Sequence, residues 1–412
     1  MDFMTRRSLV LVSFLALTAS SASAEILPGF RIEKLADTAG FLSSLAFNPS
    51  GHLFYSATSG EVYRLDGTAS TQVALVPSAN DGNAALLGIA FQSDHEFVTH
   101  YVPPDLTADV VSSVNLATGI QTEIARYVCD NGRPCPSEHH GGNLIVAPDG
   151  SIFVGIGDYG GGIVAQNPNS PGGKIFRISP EGESSMFALG FRNPFDFALH
   201  PESGELIVGD NGPVAGDEVH IISEEANAGW PFTVGNDPPV EGTVRPDYTW
   251  SETVAPTGVI FIGGPSPMPD GGLLVGAFVT SALYYFPDLS GRPLGDPIIL
   301  VEDETPPIID IAQNVEGEIF FATPFAIYRL HLPLPGDANG DGRVDGTDGR
   351  ALAHEIVDGD GALAIRTQDG AVNGSWGSDV NRDGLVDARD LVSLAKMRKG
   401  RTRGAHPLPP GL

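Results

Sequence analysis

The chain has 412 residues, with 51 Asp and Glu against 23 Lys and Arg, for a formal net charge of −28. Binding a polyanion requires clustered cations, so this balance argues against nucleic acid, and equally against an anionic membrane surface, as the partner. The length allows two or three domains, and 51 glycines scattered among short apolar runs point to strands rather than helices for most of them.

In chain order the first element is a targeting segment. Arg6 and Arg7 precede the apolar run "SLVLVSFLAL", and Ala22-Ser23-Ala24 has the small-x-small form of a signal-peptidase site, so residues 1–24 read as a signal peptide. "TRRSLV" also resembles a twin-arginine export signal. No later segment approaches the roughly 20 apolar residues of a membrane span. The expected location is periplasmic or secreted. Cys129 and Cys135, the only cysteines, bracket the turn-rich "DNGRP" and are expected to pair in an oxidising compartment; two thiols are too few for a zinc site.

Residues 25–331 repeat one unit: a Gly-containing turn, an apolar strand, a polar loop and a second apolar strand. It stands at "SGHLFYSATSGEVYRLD", at "DGSIFVGIGD" with "GGKIFRIS", at "SGELIVGDNG" with "DEVHIIS", at "DGGLLVGAFVTSALYYF" and at "EGEIFFATPFAIYRLHL". A sixth, degraded copy is "DHEFVTHYVPPDLTADVVSSVNL". Six units at intervals of roughly 45 to 65 residues predict an all-β six-bladed β-propeller, with a β-sandwich of similar hairpins as the alternative.

Residues 332–336, "LPLPG" within them, read as a Pro-rich linker. Beyond it, "DANGDGRVDGTD" places Asp337, Asn339, Asp341, Asp345 and Asp348 at positions 1, 3, 5, 9 and 12 of a calcium loop, with Gly342 at the sharp turn. "DVNRDGLVDARD" repeats this with Asp379, Asn381, Asp383, Asp387 and Asp390, and Gly384 at the turn. A helix-like stretch follows each loop. Two such loops closed by Asp resemble the dockerin module, so residues 337–398 are expected to form a small α-helical, paired EF-hand-like calcium-binding domain. That resemblance implies a cohesin-like domain on another protein as partner, selected by exposed residues such as Gly346, Thr347, Ala388 and Arg389. Residues 399–412 are expected to be a disordered tail.

Chemistry is sought in the propeller, beginning at "SEHHGGN". A histidine in a glycine-rich turn can serve as a base near neutral pH or merely cap a loop. Its surroundings decide: "NAALLGIAF", "GIGDYG", "GFRNPFDFALHPESGELIVGDNGPVAGDEVHII", "NAGWP" and "APTGVIF" follow in an order that resembles the soluble pyrroloquinoline-quinone sugar dehydrogenases, the glucose/sorbosone or aldose sugar dehydrogenase family, over roughly residues 30–330. The resemblance implies His139 as general base, His140 as variable loop, Asp158 as a carboxylate beside the base, and Arg192 and Asn193 as contacts to the quinone carbonyls. It also implies Asn83 as a cofactor contact and Gly212 and Pro213 as backbone calcium ligands, followed by the acidic pair Asp217 and Glu218. The implied activity is oxidation of a small aldose or oligosaccharide to its lactone.

One departure stands out. The family meets the three carboxylates of the quinone with a Lys and an Arg-x-Arg pair, and those positions fall here at Phe278 or Val279 and at Pro307 and Ile309. Charge-assisted contacts to carboxylates contribute about 1.5–3 kcal/mol each. Their loss raises the alternative of a noncatalytic propeller that grips a glycan or protein and is displayed by the dockerin.

Overall fold

Each repeat becomes the two middle strands of an antiparallel sheet, and six such sheets make up the larger part of the chain. In this computed structural model the described residues are 25–403, apart from 28, 130–133, 264–267, 269–271, 359–375 and 382–385. The expected signal peptide, the end of the expected tail at 404–412, and Asp383 and Gly384 of the second calcium loop lie outside them.

The first blade runs through Leu42–Phe47, Leu53–Ala57, Glu61–Asp66 and Ala69–Leu75. The second has Leu86–Ser93, Glu96–Tyr101, Ala108–Asn115 and Gln121–Val128, and the third Leu144–Val146, Ile152–Ile156, Lys174–Ile178 and Ser184–Leu189. The fourth has Pro194–Leu199, Leu206–Asp210, Glu218–Ile222 and Tyr248–Thr249. The fifth has Pro256–Phe261, Leu273–Ala277, Leu283–Phe286 and Ile298–Glu302, with the short Glu25–Ile26 at its outer edge. In the sixth, Asp310–Gln313, Ile319–Thr323 and Ala326–His331 are completed by the distant Arg31–Asp37, whose register pairs Arg31 with His331 and Asp37 with Ala326. The inner strand of each blade contacts that of the next, and the sixth contacts the first, so the ring is closed.

The second strands explain the packing. "LFYSA", "IFVGI", "LIVGD", "LLVGA" and "IFFAT" are buried at every position, because neighbouring blades cover both faces. A strand covered twice reads as a continuous apolar run rather than an alternation. Leu274, Leu283, Tyr285 and Phe321 illustrate the result, forming part of one core between the fifth and sixth blades.

Side chains near the axis tie inner strands together. Asp310 Oδ2 accepts from Leu45 N of the first blade at 2.6 Å and from Asn143 Nδ2 at 3.3 Å, while Asp196 Oδ2 accepts from Val259 N of the fifth at 2.7 Å. Burial, reinforced for Asp196 by the charge of Asp310, pushes both carboxyls up, Asp310 to about 7.

Beyond the propeller lie two helices, α1 (Asp348–Asp358) and α2 (Ala388–Arg403). They close on a small core that includes Ala338, Leu352, Val380 and Leu394. Helix α2 runs five residues past the boundary read at 398, so the start of the expected tail is helical. Asp348 and Asp390 each close a loop and stand in the first turn of the following helix, where a carboxylate is favoured by the N-terminal dipole.

Candidate functional site

The residues singled out in "SEHHGGN" and "GIGDYG" meet at one end of the third blade. His139 adopts a left-handed φ of 48°, a conformation that costs a non-glycine residue about 1–2 kcal/mol and persists because the loop around it is held at many points. Gly157 lies directly behind it; a β-carbon there would collide with the His139 carbonyl oxygen and with Asn193 Oδ1. Asp158 N donates to Arg192 O at 2.8 Å, and Gly141 N donates to Asn193 Oδ1 at 3.0 Å, so the two loops and the "RNP" turn form one unit. Buried Lys174 donates to the carbonyls of Val164, Ala165 and Gly172 and fixes the segment after Asp158.

Within this unit His139 Nδ1–H donates to Asp158 Oδ1 at 2.6 Å, and Trp230 Nε1–H donates to Asp158 Oδ2 at 2.8 Å. Gly160 N and Gly162 N complete the carboxylate's shell at 2.8 and 3.0 Å. Burial pushes the Asp158 carboxyl up, but the hydrogen bonds from His139 and Trp230 and the charge of His139 outweigh it and hold the group below the usual carboxylate range. A carboxylate kept ionised fixes the proton on Nδ1 and leaves Nε2 as the basic atom. Among the described residues Nε2 has no hydrogen-bond partner, and the side chain is 19% exposed.

His140 was expected to be variable loop. Its backbone is loop, but its side chain is fully buried. Nδ1–H donates to Asp109, 3.0 Å from Oδ1 and 3.1 Å from Oδ2, and Nε2 lies 2.6 Å from Pro136 O. Asp109 also contacts His100 Nε2 at 3.1 Å and accepts from the Tyr159 hydroxyl at 2.7 Å. Burial opposes ionisation of Asp109, yet His140 and His100 draw its carboxyl far below the usual range. Burial alone would lower His140, whereas the charge and hydrogen bond of Asp109 raise it. Asp109 thus grips the residues that directly follow His139 and Asp158.

Arg192 and Asn193 stand opposite. Their backbone N–H groups donate to Asp210 at 3.0 and 2.7 Å, and burial together with the Glu218 charge pushes that carboxyl up to about 7. The Arg192 guanidinium lies 5.8 Å from the Trp230 ring centroid, and Nη1 donates to Asn211 O and Gly212 O, each at 2.8 Å. Asp217 accepts from Gly212 N, Val254 N and Ala255 N, each at 2.7 Å. A propeller calcium at Gly212 and Pro213 would have to share the Gly212 carbonyl with Arg192 Nη1, while Asp217 already accepts from three backbone donors.

A cavity of about 440 Å3 opens beside this unit. Arg192, Asn193 and Asn83 line it; His139 stands just outside, linked through Asn193 and through Asn83 N, which donates to Ser137 O at 3.0 Å. Phe278 and Ile309, at positions where cations were expected, also line the cavity. Among the described residues the lining carries one cation, Arg192, and one anion, Asp217. A tricarboxylate such as pyrroloquinoline quinone does not fit a wall of zero net charge that is apolar at the positions meant to neutralise it.

The dockerin loops share one hydrogen-bond scheme. Asn339 N and Asp345 N donate to Asp348 at 3.3 and 2.6 Å; Asn381 N and Asp387 N donate to Asp390 at 3.1 and 2.9 Å. Asp337 accepts from Asp341 N and Gly342 N. Among the described residues no three acidic or histidine side chains converge as a metal cluster, since these carboxylates face backbone N–H groups. The hard oxygen donors, their spacing and the left-handed Gly342 (φ 81°) nevertheless suit calcium, which would draw the carboxylates of Asp337, Asp341, Asp345 and Asp348 inward. Gly346, Thr347, Ala388 and Arg389 are exposed. Cys129 and Cys135 are disulfide-bonded.

Fold and site together define a propeller of the sugar-dehydrogenase class. The family model described as glucose/sorbosone dehydrogenase matches residues 42–326, and the chain belongs to that family; residues 335–397 match the dockerin type I domain. Aldose sugar dehydrogenase of Escherichia coli (strain K12) is 24% identical over 212 residues, covering 45% of this chain and 57% of that protein. Quinoprotein glucose dehydrogenase B of Acinetobacter calcoaceticus is 26% identical over 242 residues, covering 47% and 50%. The chain thus spans about half the length of these curated relatives. The PQQ-bound aldose sugar dehydrogenase of Streptomyces coelicolor has a similar fold, with a TM-score of 0.65 at 23% identity over 74% of this chain and 99% of that one.

Proposed function

We propose that the protein is an exported sugar oxidoreductase that acts on an aldose at the propeller mouth and is docked through its calcium-loaded dockerin to a cohesin-bearing partner. The carrying observation is the 2.6 Å hydrogen bond that fixes His139 by Asp158, with Nε2 unpartnered among the described residues. Nε2 would take the proton of the anomeric hydroxyl, and a two-electron acceptor bound in the cavity would have to receive the C1–H hydride for C1 to become the lactone carbonyl. Asp158 stabilises the imidazolium that results, and Trp230 keeps the carboxylate turned toward it. Arg192 offers positive charge to an acceptor oxygen that gains electron density.

The test is dye-linked aldose oxidation by the calcium-loaded mature chain, with His139→Ala alongside. General-base catalysis contributes about 10²- to 10⁴-fold, so the variant should lose activity on that scale. A second reading, a noncatalytic glycan-binding propeller, is favoured by Phe278 and Ile309 in the places of the expected cations. Sugar binding without oxidation by any acceptor would decide for it.

A further inference from the structure

The cavity's chemistry differs from that of the quinone seat its fold leads one to expect, and the difference specifies a ligand. Among the described residues, the charged lining groups are Arg192 and Asp217, of opposite sign. Asp217 is bound by three backbone N–H groups and adds an acidic group to the wall. Phe41, Phe195, Phe278 and Ile309 supply apolar surface. Of the lining residues, Phe41 is 40% exposed and packs edge-on against Phe325, which is 59% exposed; Val279, next to the lining residue Phe278, is 56% exposed. On a chain of net charge −28, exposed aromatic and aliphatic groups at a cavity mouth mark a surface meant to be covered by a ligand.

The polar groups left open are few. Among the described residues, Arg192 Nε and Nη2, the Asn193 carboxamide NH2 and the Asn83 carboxamide have no hydrogen-bond partner. They line the same cavity as the apolar rings, a combination that suits a flat ring bearing one or two uncharged oxygen acceptors.

We propose that this cavity seats an uncharged, flat ring ligand of the carbonyl-bearing, quinone-like class rather than a tricarboxylate. The ring would lie against the phenylalanine wall with its carbonyl oxygen toward Arg192 and Asn193. Its service as hydride acceptor rests on the reading of His139 as a base, but its binding does not, so binding is measured without turnover.

The experiment is calorimetric titration of the full mature chain with two probes, 1,4-naphthoquinone as the uncharged ring and pyrroloquinoline quinone as the tricarboxylate. Both cysteines are disulfide-bonded, so addition of the quinone to a free thiol does not interfere. The uncharged probe should bind at least about 100-fold more tightly, because the tricarboxylate lacks its charge-assisted partners. Val279→Lys, at an exposed position, and Ile309→Arg, in the wall, should each tighten the tricarboxylate roughly tenfold or more without tightening the uncharged probe. Val279→Lys keeps the test decisive if the buried substitution fails to fold. Equal or tighter binding of the tricarboxylate by the unmodified protein overturns the proposal, as does absence of binding of the uncharged ring up to its solubility limit. Ring binding without sugar oxidation would leave this proposal standing and remove the oxidoreductase reading.

Discussion

Replacing Asp109 with Asn tests whether the buried cluster behind the site holds it in place. Asp109 is inaccessible to solvent, as are His100 and His140, and its oxygens meet both histidines and the Tyr159 hydroxyl. Removing one partner of a buried ion pair leaves the other uncompensated, at a cost of about 3–5 kcal/mol. For a domain of this size that lowers the melting temperature by roughly 6–20 °C. Differential scanning calorimetry at pH 6 measures the loss. Because His140 and Tyr159 directly follow His139 and Asp158, the short His139–Asp158 hydrogen bond should loosen too, and its downfield proton resonance should broaden or vanish. A melting temperature changed by less than about 2 °C, with that resonance intact, would refute the reasoning.

Four further outcomes are expected. Trp230→Phe removes one donor from Asp158 while keeping a ring beside Arg192, and should lower sugar oxidation by about tenfold, as the loss of one charge-assisted hydrogen bond implies, with the melting temperature nearly unchanged. Calcium chelation should abolish the α1 and α2 helical signal in circular dichroism and cohesin binding while the propeller transition persists, since metal binding supplies much of the folding free energy of so small a domain. Reduction of Cys129–Cys135, which are six residues apart, should cost about 2 kcal/mol, visible as a lower urea midpoint. Asp210 and Asp310 have folded-state pKa values near 7, above those of an unfolded chain, so the folded state binds more protons between about pH 4 and 7 and loses stability as pH rises through that window. His140, also raised, adds stability that is fully present below its unfolded value and lost as pH rises through the folded one. The propeller should therefore melt lower at pH 8 than at pH 5, and an unchanged or higher value at pH 8 would contradict the assignment.

The blades were legible in the sequence through their middle strands, because burial on both faces writes an uninterrupted apolar run bounded by turns. Inner strands as short as Leu144–Val146 leave little trace. The pairing of Arg31–Asp37 with Ala326–His331 leaves none, since it joins segments nearly 300 residues apart. The second blade looked degraded because His100 stands where the matching second strands carry small residues, Ser56, Gly155, Gly209, Gly276 and Ala322. A large, polar His100 at a small-residue position was the available signal for the cluster that anchors His140. Spacing alone could not reveal it, because the contacts cross from one blade to the next. The dockerin module was legible because its pattern is set by local spacing rather than by distant packing.

The strand Ala326–His331 lies between Arg31–Asp37 and Ile319–Thr323, hydrogen-bonded on both sides, and the dockerin follows it directly. A pull transmitted from a tethering partner therefore enters the propeller along an interior strand. Such a strand yields only by sliding against two neighbours at once, so many hydrogen bonds share the tension, whereas an edge strand would unzip one bond at a time. The clasp that closes the ring is thus also its mechanical anchor, and tension applied through the C-terminal module would load the blade best built to resist it.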